Sequence, residues 1–184
     1  MRTRAAISGI PRADLQSRGP WRRRLWWLAG GGPLFISKPV LELWRRYAAP
    51  VEARVVDASG GRLKLNPAVP IVVLTTTGAK TGQRRDVPLA YFTDGDDVIL
   101  IASNYGSGRH PGWYHNLRAH PECELRIGPR GGAFTATEAH GADRDRLYQL
   151  AADRLNHVFA LHDRRSGADW TIPVMRLAPA AGSG

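Results

Sequence analysis

A single cysteine, Cys123, stands in the 184 residues. One thiol excludes an internal disulfide framework and a cysteine-built zinc site, and it suits a reducing compartment. No apolar stretch is long enough to span a membrane; the nearest, Leu25 to Ile36, is broken by Gly30-Gly31-Gly32-Pro33. The basic N-terminus leads into no clean apolar segment with a small-residue cleavage site, so no secretory signal is read. Acids are scarce at that end. Residues 1–46 hold ten Arg or Lys against Asp14 and Glu42, which is +8 of the chain's net +10 and leaves only +2 for the rest. Basicity confined to one terminal segment argues against a nucleic-acid-binding domain, and no nucleic-acid partner is expected. Catalytic signatures are missing too. There is no His-Glu-x-x-His, no Gly-x-Ser-x-Gly, and no base beside Cys123. His110, His115 and His120 recur every five residues, a spacing that sends helical neighbours to different faces, so no metal site is expected. Any enzymatic chemistry is then expected to be carried by a bound organic cofactor.

What the chain does have is concentrated between Val72 and Tyr91. An apolar run, Ile71 to Leu74, and three threonines precede Gly78-Ala79-Lys80-Thr81-Gly82. A second extended run, Val87 to Phe92, follows. β-Branched residues on both sides of a Gly-bounded turn predict a hairpin. Its loop carries Lys80, Thr81, Arg84 and Arg85, an ammonium, a hydroxyl and two guanidiniums suited to phosphate or carboxylate. A solvated basic turn reads the same residues equally well. Ala79 between Gly78 and Lys80 excludes a Walker A element.

Along the rest of the chain, residues 1–19 lack periodicity and are expected to be mostly disordered. Residues 20–47 mix Trp21, Trp26, Trp27 and Trp44 with arginines. That mixture suits contact with an anionic membrane surface, or equally a helix packing its Trp face on the protein's own core. Val40, Leu43, Trp44 and Tyr47 give 38–48 the spacing of a short amphipathic helix. Hairpin signals flank Ala58-Ser59-Gly60-Gly61. A turn at Thr93–Asp96 precedes an apolar strand from Val98 to Ser103. A Gly-containing loop, 104–110, then leads into a helix from Pro111 to His120, an arrangement that can present backbone N–H groups to an anion. Strands 122–127 and 133–139 surround a Gly128–Gly132 turn. A helix from Gly141 to about Asp163, a last strand 171–177 and a frayed tail from Ala178 complete the expectation. The expected class is α+β with a mainly antiparallel sheet able to close a small barrel, in three parts: a basic N-terminal segment (1–48), the barrel domain (49–178) and a tail (179–184).

Two blocks together carry a resemblance. Thr75-Thr76-Thr77-Gly78-Ala79-Lys80-Thr81-Gly82-Gln83-Arg84-Arg85 with Val87-Pro88-Leu89 forms the first. Ala102-Ser103-Asn104, His110-Pro111 and Trp113-Tyr114-His115-Asn116-Leu117 form the second. In this order and spacing they closely resemble the deazaflavin-dependent nitroreductase family of flavin/deazaflavin oxidoreductases, over about Arg54 to Leu177. The resemblance implies an FMN-binding-type split β-barrel and coenzyme F420, a deazaflavin with a phospholactyl oligoglutamate tail, in preference to FMN. It implies that Ala79, Lys80, Thr81 and Arg85 hold the anionic tail. Asp86, Val87, Pro88, Leu89 and Ala90, with Ile101, Ala102, Ser103 and Asn104, would line the phosphate, ribityl and ring region. Gly112, Trp113, Tyr114, His115 and Asn116 would close over it. The implied reaction passes a hydride from reduced F420 to an electron-poor small molecule: a quinone, a nitro compound or an activated alkene. A homodimer and a cytoplasmic place, or one on the inner face of the cell membrane, go with it.

The chain departs from that family in two places. Leu155 to Trp170 has none of the tyrosines that line the substrate side of nitroimidazole-reducing members, and Asn104 stands where some relatives have lysine. The proton donor is left open among Ser103, Tyr114, His157 and His162. The alternative class is a non-catalytic split barrel that carries a deazaflavin, FMN, haem or a lipid-like ligand.

Overall fold

The structure, a computed structural model, describes residues 6–15, 69–104, 107–155 and 170–180. Two short strands, β1 (Ala6–Ile7) and β2 (Ile10–Pro11), come first. The Val/Leu/Thr run forms β3 (Ile71–Thr77). After the loop, with Gly82 at φ +65°, the chain returns as β4 (Arg84–Asp94). Gly95, at φ +60°, supplies the left-handed position of the tight turn into β5 (Asp97–Ile101). Pro111 caps α1 (Gly112–Ala119), and His120 and Pro121 end it before β6 (Glu122–Ile127) and β7 (Arg130–Ala139). Helix α2 (Gly141–Arg154) and strand β8 (Val174–Pro179) complete the order.

Six strands close into a barrel in the order β3-β4-β5-β8-β7-β6, each pair antiparallel, with β6 returning to β3. The closure is uneven. β4 pairs with β5 only from Tyr91↔Leu100 to Asp94↔Asp97. Among the described residues, β4 before Tyr91 has β3 as its sole strand neighbour, and Ile101 pairs only with Val174 of β8. The two strands therefore part, leaving a split between residues 84–90 and 101–104. Pro88 lies in the half of β4 that has one neighbour, where a missing N–H is tolerated.

Strand alternation sorts the apolar side chains into two cores. Val72, Leu74, Tyr91, Val98, Leu100, Leu125, Phe134 and Leu177 fill the barrel, with Trp113, Tyr114 and Leu117 of α1 packed into it. The opposite faces give Phe92, Ile99, Ile101 and Val174 to a second core under Leu147, Tyr148, Ala151 and Leu155 of α2 and its end. Full burial of a side chain such as Leu147 contributes roughly 1.5–3 kcal/mol. An ion cluster pins α2. Arg176 of β8 meets Asp94, Asp97 and Asp143, and Arg146 holds Asp94 and Asp143, at 2.8–3.0 Å.

The structure corrects three expectations. Residues 6–15, within the stretch expected to be mostly disordered, are folded: Ile7, Ile10 and Ala13 enter the barrel core. Tyr91 Oη donates to Pro11 O, and the Ala13 and Thr93 backbones are joined. Second, Gly131 and Gly132 belong to β7, paired with Arg126 and Leu125, so the turn is only Gly128-Pro129. They are glycines because backbones crowd there. A Cβ on Gly131 would lie 2.2 Å from Leu125 O, and one on Gly132 would lie 3.1 Å from Ser8 Cβ. Third, β8 begins at Val174 rather than Thr171 and takes in Ala178 and Pro179, the first two residues of the expected frayed tail. Ala178 and Pro179 pair with Thr135 and Phe134, and Ala180 N–H donates to Ala133 O. The hairpin around Ala58–Gly61, the Trp-rich segment 20–47, and His157 and His162 lie outside the described residues.

Candidate functional site

The basic loop is held in shape by its own backbone and by α1. Gly78 N–H donates to Gln83 O at 2.8 Å and Gly82 N–H to Gly78 O at 2.8 Å; Gln83 N–H reaches Thr81 Oγ1 at 3.4 Å. A Cβ on Gly78 would stand 2.8 Å from Thr81 Oγ1 and 3.1 Å from Gln83 O, so a larger residue would require the Thr81 side chain and the loop to shift. Asn116 clamps the loop from outside: its Oδ1 accepts from Ala79 N–H at 3.0 Å and its Nδ2 donates to the buried Thr76 Oγ1 at 3.0 Å.

The four polar loop residues do not play equal parts. Arg84 is bonded to Glu124 at 2.7 Å, and that hydrogen bond raises its pKa. The sequence offers both guanidiniums to an anion or to solvent, and only Arg85 is among the residues the resemblance implies; Glu124 on β6 engages Arg84. Lys80 and Arg85 are exposed and meet no carboxylate among the described residues; Arg85 donates to Gln83 Oε1 at 3.1 Å. Asp86 lies beside Arg84 on the outer face, taking a 2.7 Å bond from Thr75 and another from Arg126. Burial pushes its pKa up, but these two donors outweigh it and hold the carboxyl below its ordinary range. Its side chain is thus committed, and only its backbone faces the split.

The remaining candidates line the split and its end. Val87 and Leu89 are half-buried against the barrel core, while Pro88 and Ala90 point outward. Ile101 is buried under the outer core, and Ala102 and Ser103 are buried where Ala102 N–H donates to Pro173 O at 2.9 Å. Asn104 takes φ +42°, which its side chain supports by donating to Ser107 Oγ and Arg109 O at 2.8 and 3.0 Å. On α1, Gly112 and His115 are exposed, Trp113 is buried in the barrel core, and Asn116 faces the loop. Tyr114 turns the other way and donates its hydroxyl to Glu138 at 2.9 Å. Burial first, then this bond, raises its pKa.

Beyond Tyr114 lies a cleft of about 310 Å³ that sequence reasoning missed, walled by His110, Tyr114, Glu138, Arg144, Thr171 and Pro173 among others. Nothing local joins His110 to Glu138, which is 28 positions away on another strand. His110 precedes α1 instead of sitting on it, so its ring comes within 5.9 Å of His115 despite the five-residue spacing. No group of three His, Cys, Asp or Glu among the described residues is placed to hold a metal ion.

The donor set at the loop fits a multiply anionic organic cofactor. Two cations with no carboxylate partner among the described residues, a hydroxyl and a pre-shaped backbone stand beside the end of β4 that β5 leaves unpaired. Fold and site together define a small antiparallel barrel with a loop suited to an anionic ligand, and comparison with known proteins says which family it belongs to. Residues 44–179 match the model of the F420H2-dependent quinone reductase family. A F420H2-dependent quinone reductase of Mycobacterium tuberculosis is 37% identical over 127 residues, 67% of this chain and 84% of its own. A putative one of Mycobacterium bovis aligns equally well. Among solved structures, an F420H2-dependent reductase superposes with TM-score 0.53 at 34% identity over 59% of this chain and 93% of its own. Another, described as a domain-swapped dimer, gives 0.55 at 29% over 74% and 97%.

The chain belongs to the F420H2-dependent quinone reductase family. It is an oxidoreductase with coenzyme F420 as its cofactor and a quinone-type acceptor, which sets aside the carrier reading and FMN. The split-barrel expectation is met. The nitroreductase label is not what the matching family carries.

Proposed function

We propose that this chain reduces quinones with F420 whose anionic tail rests on Lys80, Thr81 and Arg85 and whose ring lies in the split between 85–90 and 101–104. The observation that carries the proposal is the loop itself: two cations without carboxylate partners among the described residues, in a loop that Asn116 holds through the Ala79 backbone beside the end of β4 that β5 leaves unpaired. When bound and reduced, the cofactor supplies a hydride to the acceptor. The protein's share is to hold the tail, to order the ring against the strand edge, and to keep water out with Val87, Leu89 and Trp113. Lys80 and Arg85 fix the tail by charge, and Asn116 pre-shapes the loop that presents them.

Fluorescence titration with oxidised F420, with FMN in parallel, tests this. Micromolar or tighter F420 binding should weaken at least tenfold in Lys80→Ala/Arg85→Ala, whereas unchanged affinity would move the tail elsewhere. Reduction of nitro compounds and activated alkenes, the nitroreductase-like side of the reading, is tested in the same acceptor screen. The chain acts, on this reading, in the cytoplasm, and the Trp- and Arg-rich segment 20–47 brings it to anionic lipid. The attachment we propose is peripheral; no helix among the described residues, which do not include 20–47, is long and apolar enough to cross a membrane. Liposome co-sedimentation with and without residues 1–48 decides that point. We also propose a homodimer, supported by the related structure described as a domain-swapped dimer; light scattering of the purified chain tests it.

A further inference from the structure

The cleft beyond Tyr114 has features that the cofactor loop does not use. Its charged groups are already engaged. Glu138 accepts the Tyr114 hydroxyl, and Arg144 donates twice to Ile172 O at 3.0 and 2.8 Å and once to Asp145 at 3.0 Å. With Glu138 and Asp145 on its wall against one arginine that is already hydrogen-bonded, the cleft favours an anionic ligand less than the basic loop does. It therefore suits the cofactor's tail less than that loop, and its 310 Å³ is at the small end of ligand pockets, room for one or two fused rings.

One polar ring in the cleft is unspent. His110 is stacked on Trp170 with centroids 5.1 Å apart and planes 24° from parallel, with Tyr114 at 4.9 Å and His115 at 5.9 Å as further neighbours. Its Nδ1 is buried with no hydrogen-bond partner among the described residues. A buried N–H without an acceptor is costlier than a buried lone pair, so the proton of the neutral ring sits on Nε2, and His110 is one of the residues that line the cleft. Burial, and then the neighbouring His115, lower the pKa of His110, which keeps the ring neutral near pH 7. The result is a neutral N–H donor, held among Trp170, Tyr114 and His115, beside a cleft less favourable to anions than the basic loop. A neutral imidazole aimed at a carbonyl can stabilise charge that develops on the oxygen without carrying a full charge itself.

We propose that this cleft seats a neutral, carbonyl-bearing ring of the quinone class, with Nε2–H of His110 donating to one carbonyl oxygen. The proposal rests on the quinone-reductase reading and adds the place and the contact. α1 is the wall common to both sites: Asn116 serves the cofactor loop and Tyr114 the acceptor cleft.

The test is binding without cofactor, by calorimetric titration of menadione into the full chain, with naphthalene as the same ring system lacking carbonyls. The wild-type protein should prefer menadione. His110→Phe, which keeps a ring and loses the donor, should weaken menadione about tenfold and leave naphthalene and F420 affinities unchanged. Lys80→Ala should do the reverse, weakening F420 and sparing menadione. Equal affinity of wild type for menadione and naphthalene, or unchanged menadione affinity in a folded His110→Phe, overturns the proposal. Loss of F420 binding in Lys80→Ala beside either result shows that the cofactor reading stands while the acceptor site fails. Absent F420 binding in wild type with menadione behaving as expected would mean the reverse.

Discussion

Replacing Asn116 with alanine separates the stability of the fold from the preparation of its cofactor loop. The side chain makes two hydrogen bonds, one to Ala79 N–H and one to Thr76 Oγ1, each at 3.0 Å. Ala79 is exposed and recovers a water, but Thr76 is only 2% exposed and does not. The net loss of stability should therefore be about 1–2 kcal/mol rather than the sum of two full bonds. The effect on F420 should be comparable in energy but read differently. Ordering even one released backbone residue at the binding step costs about 1–2 kcal/mol, roughly tenfold in affinity. Asn116→Asp makes a sharper contrast. Its carboxylate still accepts from Ala79 and can accept from the Thr76 hydroxyl, so urea unfolding should stay close to wild type. The new charge beside Lys80 and Arg85 should nonetheless weaken F420 about tenfold at low salt, with the deficit shrinking as salt rises. Urea unfolding and F420 titration at two ionic strengths read both variants. Wild-type F420 affinity in both would refute the idea that Asn116 shapes the loop and that the loop holds the anion.

Three further predictions concern the scaffold. Gly131→Ala places a Cβ 2.2 Å from Leu125 O and should cost on the order of 3 kcal/mol, because backbone cannot give way; Gly95→Ala, with open space but φ +60°, should cost only about 1 kcal/mol, and thermal unfolding of the pair checks the ranking. The Arg176 and Arg146 hydrogen bonds hold Asp143 at a pKa of about 2 and lower Asp94 as well. Lowered carboxyl pKa values mean stability that is complete above about pH 4 and lost as pH falls toward 2. Allowing for solvent screening, the loss should be roughly 1–2 kcal/mol, and Arg176→Met should blunt it in urea melts across that window. Burial pushes the Cys123 thiol up to about 12, so alkylating reagents at pH 8 should label it only after unfolding, as mass spectrometry would show.

What could be read in the chain beforehand followed from local chemistry. The hairpin from Ile71 to Phe92, the start of α1 at Pro111 and the cationic loop declare themselves through β-branched runs, turn glycines and clustered charge, and they stand where they were expected. The missed features depend on contacts distant in sequence. Ile7 and Ile10 look like isolated apolar residues until a barrel end is there to receive them. Gly131-Gly132 looks like a turn until Ser8 and Leu125 crowd those positions. Arg84 and Arg85 are indistinguishable as neighbours in a sequence; only the register with β6 puts Glu124 beside the first. The cleft draws on residues between His110 and Pro173, so no window of sequence could show it.

The position of β8 bears on how the chain is made. It is the last strand in sequence, yet it lies between β5 and β7, which precede it. As the polypeptide leaves the ribosome, β3, β4, β5, β6 and β7 can pair among themselves, but both β5 and β7 wait with a bare edge. The waiting edge of β5 is Val98-Ile99-Leu100-Ile101, an apolar run with strong strand propensity and no proline, guarded by charge only at its start, where Asp97 stands. Chains that stall or are clipped before Val174 should therefore be self-associating species during synthesis, and recovery of soluble enzyme should depend on how promptly those last six strand residues arrive.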